Sequence, residues 1–315
     1  MTATGFIKKN FSIIMTYLIA IVLLVFVSIL RPGYANANNL RILSITASIL
    51  GITAMGQMTV ILTGGMDLSI PWMFTIAAFM TANLTGGEDG KLLFAVPIVL
   101  VAGALMGTFN GIGIACVGIA PVIMTMASNI IFQGLLVGIT GGTPGGTAPA
   151  ALKAFAGGSI LGFSPLFLFW IVISVAFFIL IAKSPYGRKL YAIGNSDTVA
   201  LFSGINVKLV RVSAYAVCGV FAALAGIVCS GRISQLYLGM GDVYQMQSVS
   251  AVAIGGVSLL GGSGSYVGTV AGVLVLVILD GLLSALGIAQ SIQKIIYGIV
   301  LFLAVLLASR KKSTR

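Results

Sequence analysis

Six side chains that sit inside otherwise apolar stretches could do chemistry: Gln57, Asn110, Asn129, Gln133, Asp67 and Asp280. The four carboxamides both give and accept hydrogen bonds without carrying charge, which suits a neutral polar solute. Phe132 and Trp72 add ring faces on which the apolar side of such a solute could stack. On a helix, Asn129 and Gln133 are four apart and share a face, so one molecule could meet both. Phe132 lies about 100° round from Gln133, near enough to flank that face. The same polar groups serve equally to bond one apolar helix to the next. Asp67 follows Gly65 at the start of a helix, where a carboxylate accepts from free backbone N–H groups and meets the positive end of the helix dipole. Asp280 precedes Gly281 late in the chain and reads as a hydrogen-bonded helix contact.

Other chemistries are excluded by what the chain lacks. There is no histidine, so the usual imidazole metal ligand and proton shuttle are missing. Cys116, Cys218 and Cys229 lie in apolar segments without a CxxC pair and read as buried small apolar residues, not as a disulfide or metal site. No GxxxxGK[ST] phosphate loop occurs, so ATP is not bound by that route. No cluster of catalytic His, Cys or carboxylates points to an enzyme. Neither a metal nor a cofactor of the chain's own is expected.

These groups are held in a membrane. Hydrophobic residues make up 59% of the 315, charged residues 7%, and mean hydropathy is +1.15. A soluble domain is about a quarter charged. The formal charge of +11 does not indicate nucleic acid, because the basic residues stand at the ends of apolar runs. The first run, residues 11–30, has no small-residue cleavage site after it and reads as a retained span.

At about 20 residues per crossing, ten spans follow: 11–30, 42–63, 66–83, 92–112, 121–140, 163–182, 211–231, 244–260, 266–286 and 291–309. Eight long helices plus re-entrant pieces fit almost as well. The fold class is thus an all-α membrane protein, a polytopic bundle of about ten (8–10) transmembrane helices forming one domain over residues 1–315. With the N-terminus inside, the inner side holds Lys8, Lys9, Lys183, Arg188, Lys189, Lys208, Arg211, Arg310, Lys311, Lys312 and Arg315. The outer side holds Arg31, Arg41, Lys91, Lys153, Arg232 and Lys294, and the bias gives N-in, C-in. GxxxG spacings at Gly107/Gly111, Gly134/Gly138, Gly264/Gly268 and Gly268/Gly272 predict close helix approach. The clusters Gly64–Gly65, Gly255–Gly256 and Gly261, Gly262 and Gly264 instead break apolar runs, which is tolerated at depth only where protein or a water-filled cavity covers the backbone. Asp67 belongs to the first of these breaks. In the outer segment 141–162, PAALKAFA predicts a short surface helix.

The long polar stretch, residues 183–211, is too long for a tight turn, and its five basic residues place it in the cytoplasm. Its middle predicts a short amphipathic helix, capped by Asn195 or Ser196, with Val199, Ala200 and Phe202 as its apolar face and Gly204 at its end. A rigid helix presented there implies a partner protein.

Several segments resemble one family, the ribose-type permeases of ATP-driven sugar importers. GGMDLS at 64–69, FNG at 109–111, APVIMTMASNIIFQGLLVGITGG at 120–142, YGRKLYAIGNSDTVALFSGINV at 186–207 and AIGGVSLLGGSGSYVGTVAGV at 253–273 follow its motifs in its order. The resemblance implies a multi-pass protein of the bacterial cytoplasmic (inner) membrane, in contact with lipid. It implies a pore of two permease subunits, homodimer or heterodimer, and an ATP-binding cassette ATPase on separate chains that holds ATP and Mg. It also implies a periplasmic substrate-binding protein. Residues 183–211 become the coupling loop, with Asn195, Ser196, Asp197, Ala200, Phe202, Ser203, Gly204 and Ile205 its ATPase-coupling residues. On physical grounds, not by resemblance, the translocation pathway is expected along the fifth span and its flanks, at Asn110, Asn129, Phe132 and Gln133, where a proline-started helix carries polar and aromatic groups through the apolar layer. Departures from the family pattern are Asp197 in GNSD, Gln245 and Gln247 at usually acidic positions, and Phe132-Gln133-Gly134 where Arg-Gly is usual. They bear on the solute more than on the architecture. The implied solute is a monosaccharide or similar small polar molecule, with a furanose-like signalling molecule (autoinducer) as an alternative. A stand-alone secondary transporter or channel is the competing class, and it would want more intramembrane charge than this chain has.

Overall fold

A computed structural model describes residues 3–143, 145–160, 162–233, 235–289, 291–299 and 302. It is helical almost throughout, because apolar solvent leaves backbone N–H and C=O groups no partner but each other. In chain order the helices are α1 (Ala3–Leu30), α2 (Ala37–Leu62), α3 (Ile70–Thr85), α4 (Leu92–Ile112), α5 (Pro121–Thr140) and α6 (Ala150–Gly157). Then follow α7 (Pro165–Ala182), α8 (Pro185–Asn195), α9 (Asp197–Phe202), α10 (Val207–Arg232), α11 (Asp242–Ile254) and α12 (Tyr266–Ala285). Residues 291–299 are helical as well. Proline opens α5, α7 and α8, where a missing N–H costs nothing. The surface helix expected from PAALKAFA is α6.

Among the described residues seven helices are long and apolar enough to cross a membrane. The expectation of a full span at 66–83 and another at 244–260 needs correction. α3 has 16 residues and α11 has 13, about 24 and 20 Å at 1.5 Å per residue, short of a 30 Å hydrocarbon layer. Each is one arm of a broken hairpin, α2–α3 or α11–α12, whose elbow is irregular backbone. The span at 291–309 runs beyond residue 299 outside the described residues, Phe302 excepted, as do Arg310, Lys311, Lys312 and Arg315.

The two hairpins and α10 make the core. The apolar window of α2 is 94% buried, against 17% for α1 and 22% for α7. α4 lies on α10 through a glycine stripe. A methyl group at Gly107 would overlap the Tyr215 carbonyl, one at Gly219 the Gly103 carbonyl, and one at Gly111 comes within 2.7 Å of the Val212 Cα. α12 meets α11 in the same way, Gly268 against Gly255 and Gly272 against Ala251. Gly264 lies against Val257 in the second elbow rather than between helices. Gly134 and Gly138 meet nothing within 4 Å among the described residues, so their spacing gives no contact there. Of the cysteines, Cys218 and Cys229 are buried while Cys116, expected inside, is exposed.

Candidate functional site: a polar cavity and a glycine elbow

α10 is 26 residues long, about 39 Å, and a distinct site stands at each end of it.

Near its Arg232 end lies a cavity of about 620 Å³ lined by side chains from five segments. α5 supplies Asn129 and Gln133, α3 Trp72, α11 Asp242, Gln245 and Met246, α12 Asp280 and Ser284, and the 291–299 helix Gln293, Lys294 and Tyr297. Asn129 and Gln133 share this wall, as their spacing required, and Asn129 Oδ1 is buried with no partner among the described residues. Tyr297 Oη donates to the Asp280 carboxylate, so that aspartate has the helix contact expected of it. Gln245 Nε2 donates to the Leu68 carbonyl at 2.8 Å, tying α11 to the first elbow. Burial pushes the Asp242 carboxyl up from its ordinary range, and the Lys294 ammonium draws it back. Carboxamides, hydroxyls and two carboxylates facing one ammonium suit a neutral, hydrogen-bonding solute better than an anion.

Two residues expected in this wall are elsewhere. Phe132 is buried against Phe109, with ring centroids 6.4 Å apart, in a mostly apolar groove formed with Phe79, Met106 and Leu136. A turn of 100° was enough to carry it to the far side of α5. Asn110 is fully buried, and its Nδ2 donates to Ser69 Oγ at 2.7 Å. Ser69 in turn donates to Asp67 Oδ1 from its hydroxyl at 2.6 Å and its backbone N–H at 2.9 Å. Asp67, Ser69 and Asn110 thus brace the first elbow. Gln57 is likewise fully buried on α2, away from the cavity.

At the Val207 end the two broken hairpins converge on the end of α8, which leads into α9. Gly262 N–H donates to the Leu62 carbonyl at 3.1 Å, closing one elbow on the other. Gly194, at the end of α8, is pressed against both, and a methyl group there would overlap the Leu62 carbonyl and the Gly262 N–H. One at Gly261 would come within 2.7 Å of Gly64 N. Gly65 lies so close to the Tyr215 hydroxyl that it too has no room for a side chain. Gly64, Gly261, Gly262 and Gly264 all have positive φ, of 82°, 87°, 72° and 139°, a region that side chains disfavour. The glycine clusters read as helix breaks are therefore also contact surfaces for the polar loop.

Within that loop, Ser196 caps α9 by accepting from Val199 N–H at 3.3 Å, and Ala200 is buried. Ser203 closes the helix, and Gly204 follows at φ 77°, with Ile205 returning its N–H to the Ala200 carbonyl. The apolar face expected from Val199, Ala200 and Phe202 is split: Ala200 turns inward, while Val199 is 65% exposed and Phe202 86%, with Leu201 beside them at 62%. Asp197 accepts from Arg211 Nη2 at 2.8 and 2.9 Å, pinning α9 to the first turns of α10. Asn195 caps nothing. Its Nδ2 donates instead to the Gly262 carbonyl at 2.9 Å and to the Tyr191 carbonyl at 2.7 Å. α8 itself was not expected, although Ser184 followed by Pro185 is a sound start signal.

Among the described residues no cluster of His, Cys, Asp and Glu could hold a metal.

Comparison with known proteins adds a family and a set of relatives. A family model described as branched-chain amino acid transport system / permease component matches residues 39–305. The ribose import permease of Bacillus subtilis (strain 168) is 36% identical over 295 residues, 93% of this chain and 91% of that one. The galactose/methyl galactoside import permease of Escherichia coli (strain K12) is 31% identical over 313 residues, 94% and 93% of the two chains. The autoinducer 2 import system permease of Salmonella typhi is 32% identical over 287 residues, 91% and 82%. No solved structure matches the chain.

Proposed function

We infer the function from a family premise: this chain belongs to the branched-chain amino acid transport system / permease component family, and it is the multi-pass membrane permease of an importer. We propose that it carries a monosaccharide or similar small polar solute inward across the bacterial inner membrane, N- and C-termini inside, by alternating access. ATP and Mg would be held by a separate ATP-binding cassette subunit, a periplasmic binding protein would deliver the solute, and a second permease subunit would complete the pore. The chain forms one permease domain, and residues 183–211 are its coupling loop.

The observation that carries this reading is the division of labour along α10. A carboxamide- and carboxyl-lined cavity opens near one end, and a capped helix with a bare apolar face stands at the other. Phe202, 86% exposed beside the bare Val199 and Leu201, is a side chain that gains by burial in a partner, at about 2 kcal/mol or more for an aromatic anchor. The relatives named for ribose, galactose and autoinducer 2 import support the solute class.

The test is reconstitution in liposomes with the ATPase and binding protein, scoring uptake of labelled ribose, galactose and xylose. ATP-dependent uptake is expected, and none in response to proton or sodium gradients when the permease is alone. Gradient-driven uptake without an ATPase would mean a secondary transporter. Phe202→Asp should lower affinity for the ATPase more than tenfold while leaving the permease folded, as judged by its thermal midpoint in detergent.

A further inference from the structure

The elbow contains more than the coupling helix needs. α9 alone presents the exposed apolar face, yet the tightest contacts between the polar loop and the membrane-embedded chain are made by the end of α8. Two bonds from α8 define them, and a third closes the elbow that receives them. Tyr191 Oη donates to the Gly264 carbonyl at 3.0 Å, Asn195 Nδ2 donates to the Gly262 carbonyl at 2.9 Å, and Gly262 N–H donates to the Leu62 carbonyl at 3.1 Å. Burial pushes the Tyr191 hydroxyl up from its ordinary value, which keeps it a donor. The segment that receives the Tyr191 and Asn195 bonds is closed on itself by Ser258 N–H to the Ser263 carbonyl at 2.9 Å, next to Gly264. It therefore moves as a unit.

That turn leads straight into α12, whose first residue, Tyr266, is held from a second side. Its hydroxyl shares a 2.8 Å hydrogen bond with Ser174 of α7, and its ring packs on Phe177 with centroids 4.8 Å apart. α7 runs into α8 through residues 183 and 184, where Gly187 fits against the Ile181 carbonyl with no space for a side chain. The chain path α7, α8, turn, α12 is thus closed into a ring. At its far end α12 carries Asp280 and Ser284 into the cavity.

We propose that α7, α8, the 258–264 turn and α12 form one rigid block that carries motion from the coupling loop to the cavity wall, with Tyr191 and Asn195 the positioning residues that lock α8 to the turn. Displacement of α9 by a partner reaches α8 across Ser196. The Tyr191 and Asn195 bonds hand it to the 262 and 264 carbonyls, and α12 moves its Asp280 end accordingly. Without those bonds α8 slips on the turn, and the partner's work is spent without moving the wall. This deepens the importer reading and rests on it.

The experiment measures solute carried per ATP hydrolysed, in liposomes holding permease, ATPase and binding protein, with whichever of ribose, galactose or xylose the wild type takes up. Tyr191→Phe removes one hydroxyl and no packing. It should assemble normally and keep the basal ATPase rate, while solute per ATP falls about fivefold, the usual weight of one hydrogen bond. Asn195→Asp keeps the shape but sets a carboxylate against two carbonyls, and the ratio should fall further. A wild-type ratio in Tyr191→Phe overturns the block, as does a fall in ATPase and uptake in equal proportion, which would mark a purely structural role. If the wild type itself shows no ATP-driven uptake of any of the three sugars, the importer reading fails and the inference with it.

Discussion

The two ends of α10 are built from opposite materials. At the Val207 end, backbone meets backbone: Gly194, Gly261 and Gly262 leave no room for a methyl group between three segments. At the Arg232 end, side chains from five segments stand apart around about 620 Å³. Direct backbone contact has no side-chain rotamers to absorb a displacement, so it transmits one. Amides and carboxyls on separate helices can exchange partners, so they can release what they hold. A transporter needs stiffness where force enters and adaptability where the solute passes, and the elbow and cavity differ in that sense.

The largest expected effect breaks the stiff side. Gly194→Val must displace the Leu62 carbonyl and the Gly262 N–H, and overpacking of this kind costs about 1–3 kcal/mol or more. The thermal midpoint in detergent should drop and uptake should be lost. Gly134→Val, in open space, should leave the midpoint unchanged. Equal behaviour of the two variants would erase the contrast between elbow and cavity side.

A smaller effect sharpens the adaptable side. Gln133→Ala should slow uptake about threefold to tenfold, the weight of one or two hydrogen bonds, with the thermal midpoint and ATPase assembly kept. Cysteine at 129 or 133, in a background without the native thiols, should react with a water-soluble thiol reagent, and the rate should change when ATP and binding protein are added. Silence at both positions, with a control at 88 reacting, would put them against packed protein or lipid.

The smallest effect belongs to the Asp197–Arg211 pair. Its side chains are 51% and 21% exposed, and exposed ion pairs contribute about 0–1 kcal/mol. Asp197→Asn should change uptake by about twofold or less, and less again at high salt. A tenfold loss would show that this pair is what holds α9 on α10.

The elbow was legible where its signals are local. Ser196, the run to Phe202 and Gly204 define a capped helix in any context, and the structure has that helix at Asp197–Phe202. Asn195 was half legible: a polar residue at a helix end was expected to cap, and it bonds across 67 positions to Gly262 instead. In the cavity, Asn129 and Gln133 followed from helical spacing on one segment. Asp242, Lys294 and Tyr297 did not, because they come from segments far along the chain whose meeting no spacing encodes. Of the three glutamines that depart from the family pattern, Gln133 and Gln245 line the cavity and Gln247 does not.

The sequence alone determined the solvent, the helical class, the positions of the two breaks and the capped helix of the polar loop. Each follows from composition or from residues a few places apart: apolar runs force internal hydrogen bonding, and clustered glycines end it. Only the tertiary structure decided which way each helix faces. A helix such as α7, apolar on every side, carries no directional signal, since lipid and a neighbouring helix are equally apolar partners. Facing is then settled by close fit. That is why Gly107 is buried against Tyr215 while Gly134, with the same spacing motif, meets open space.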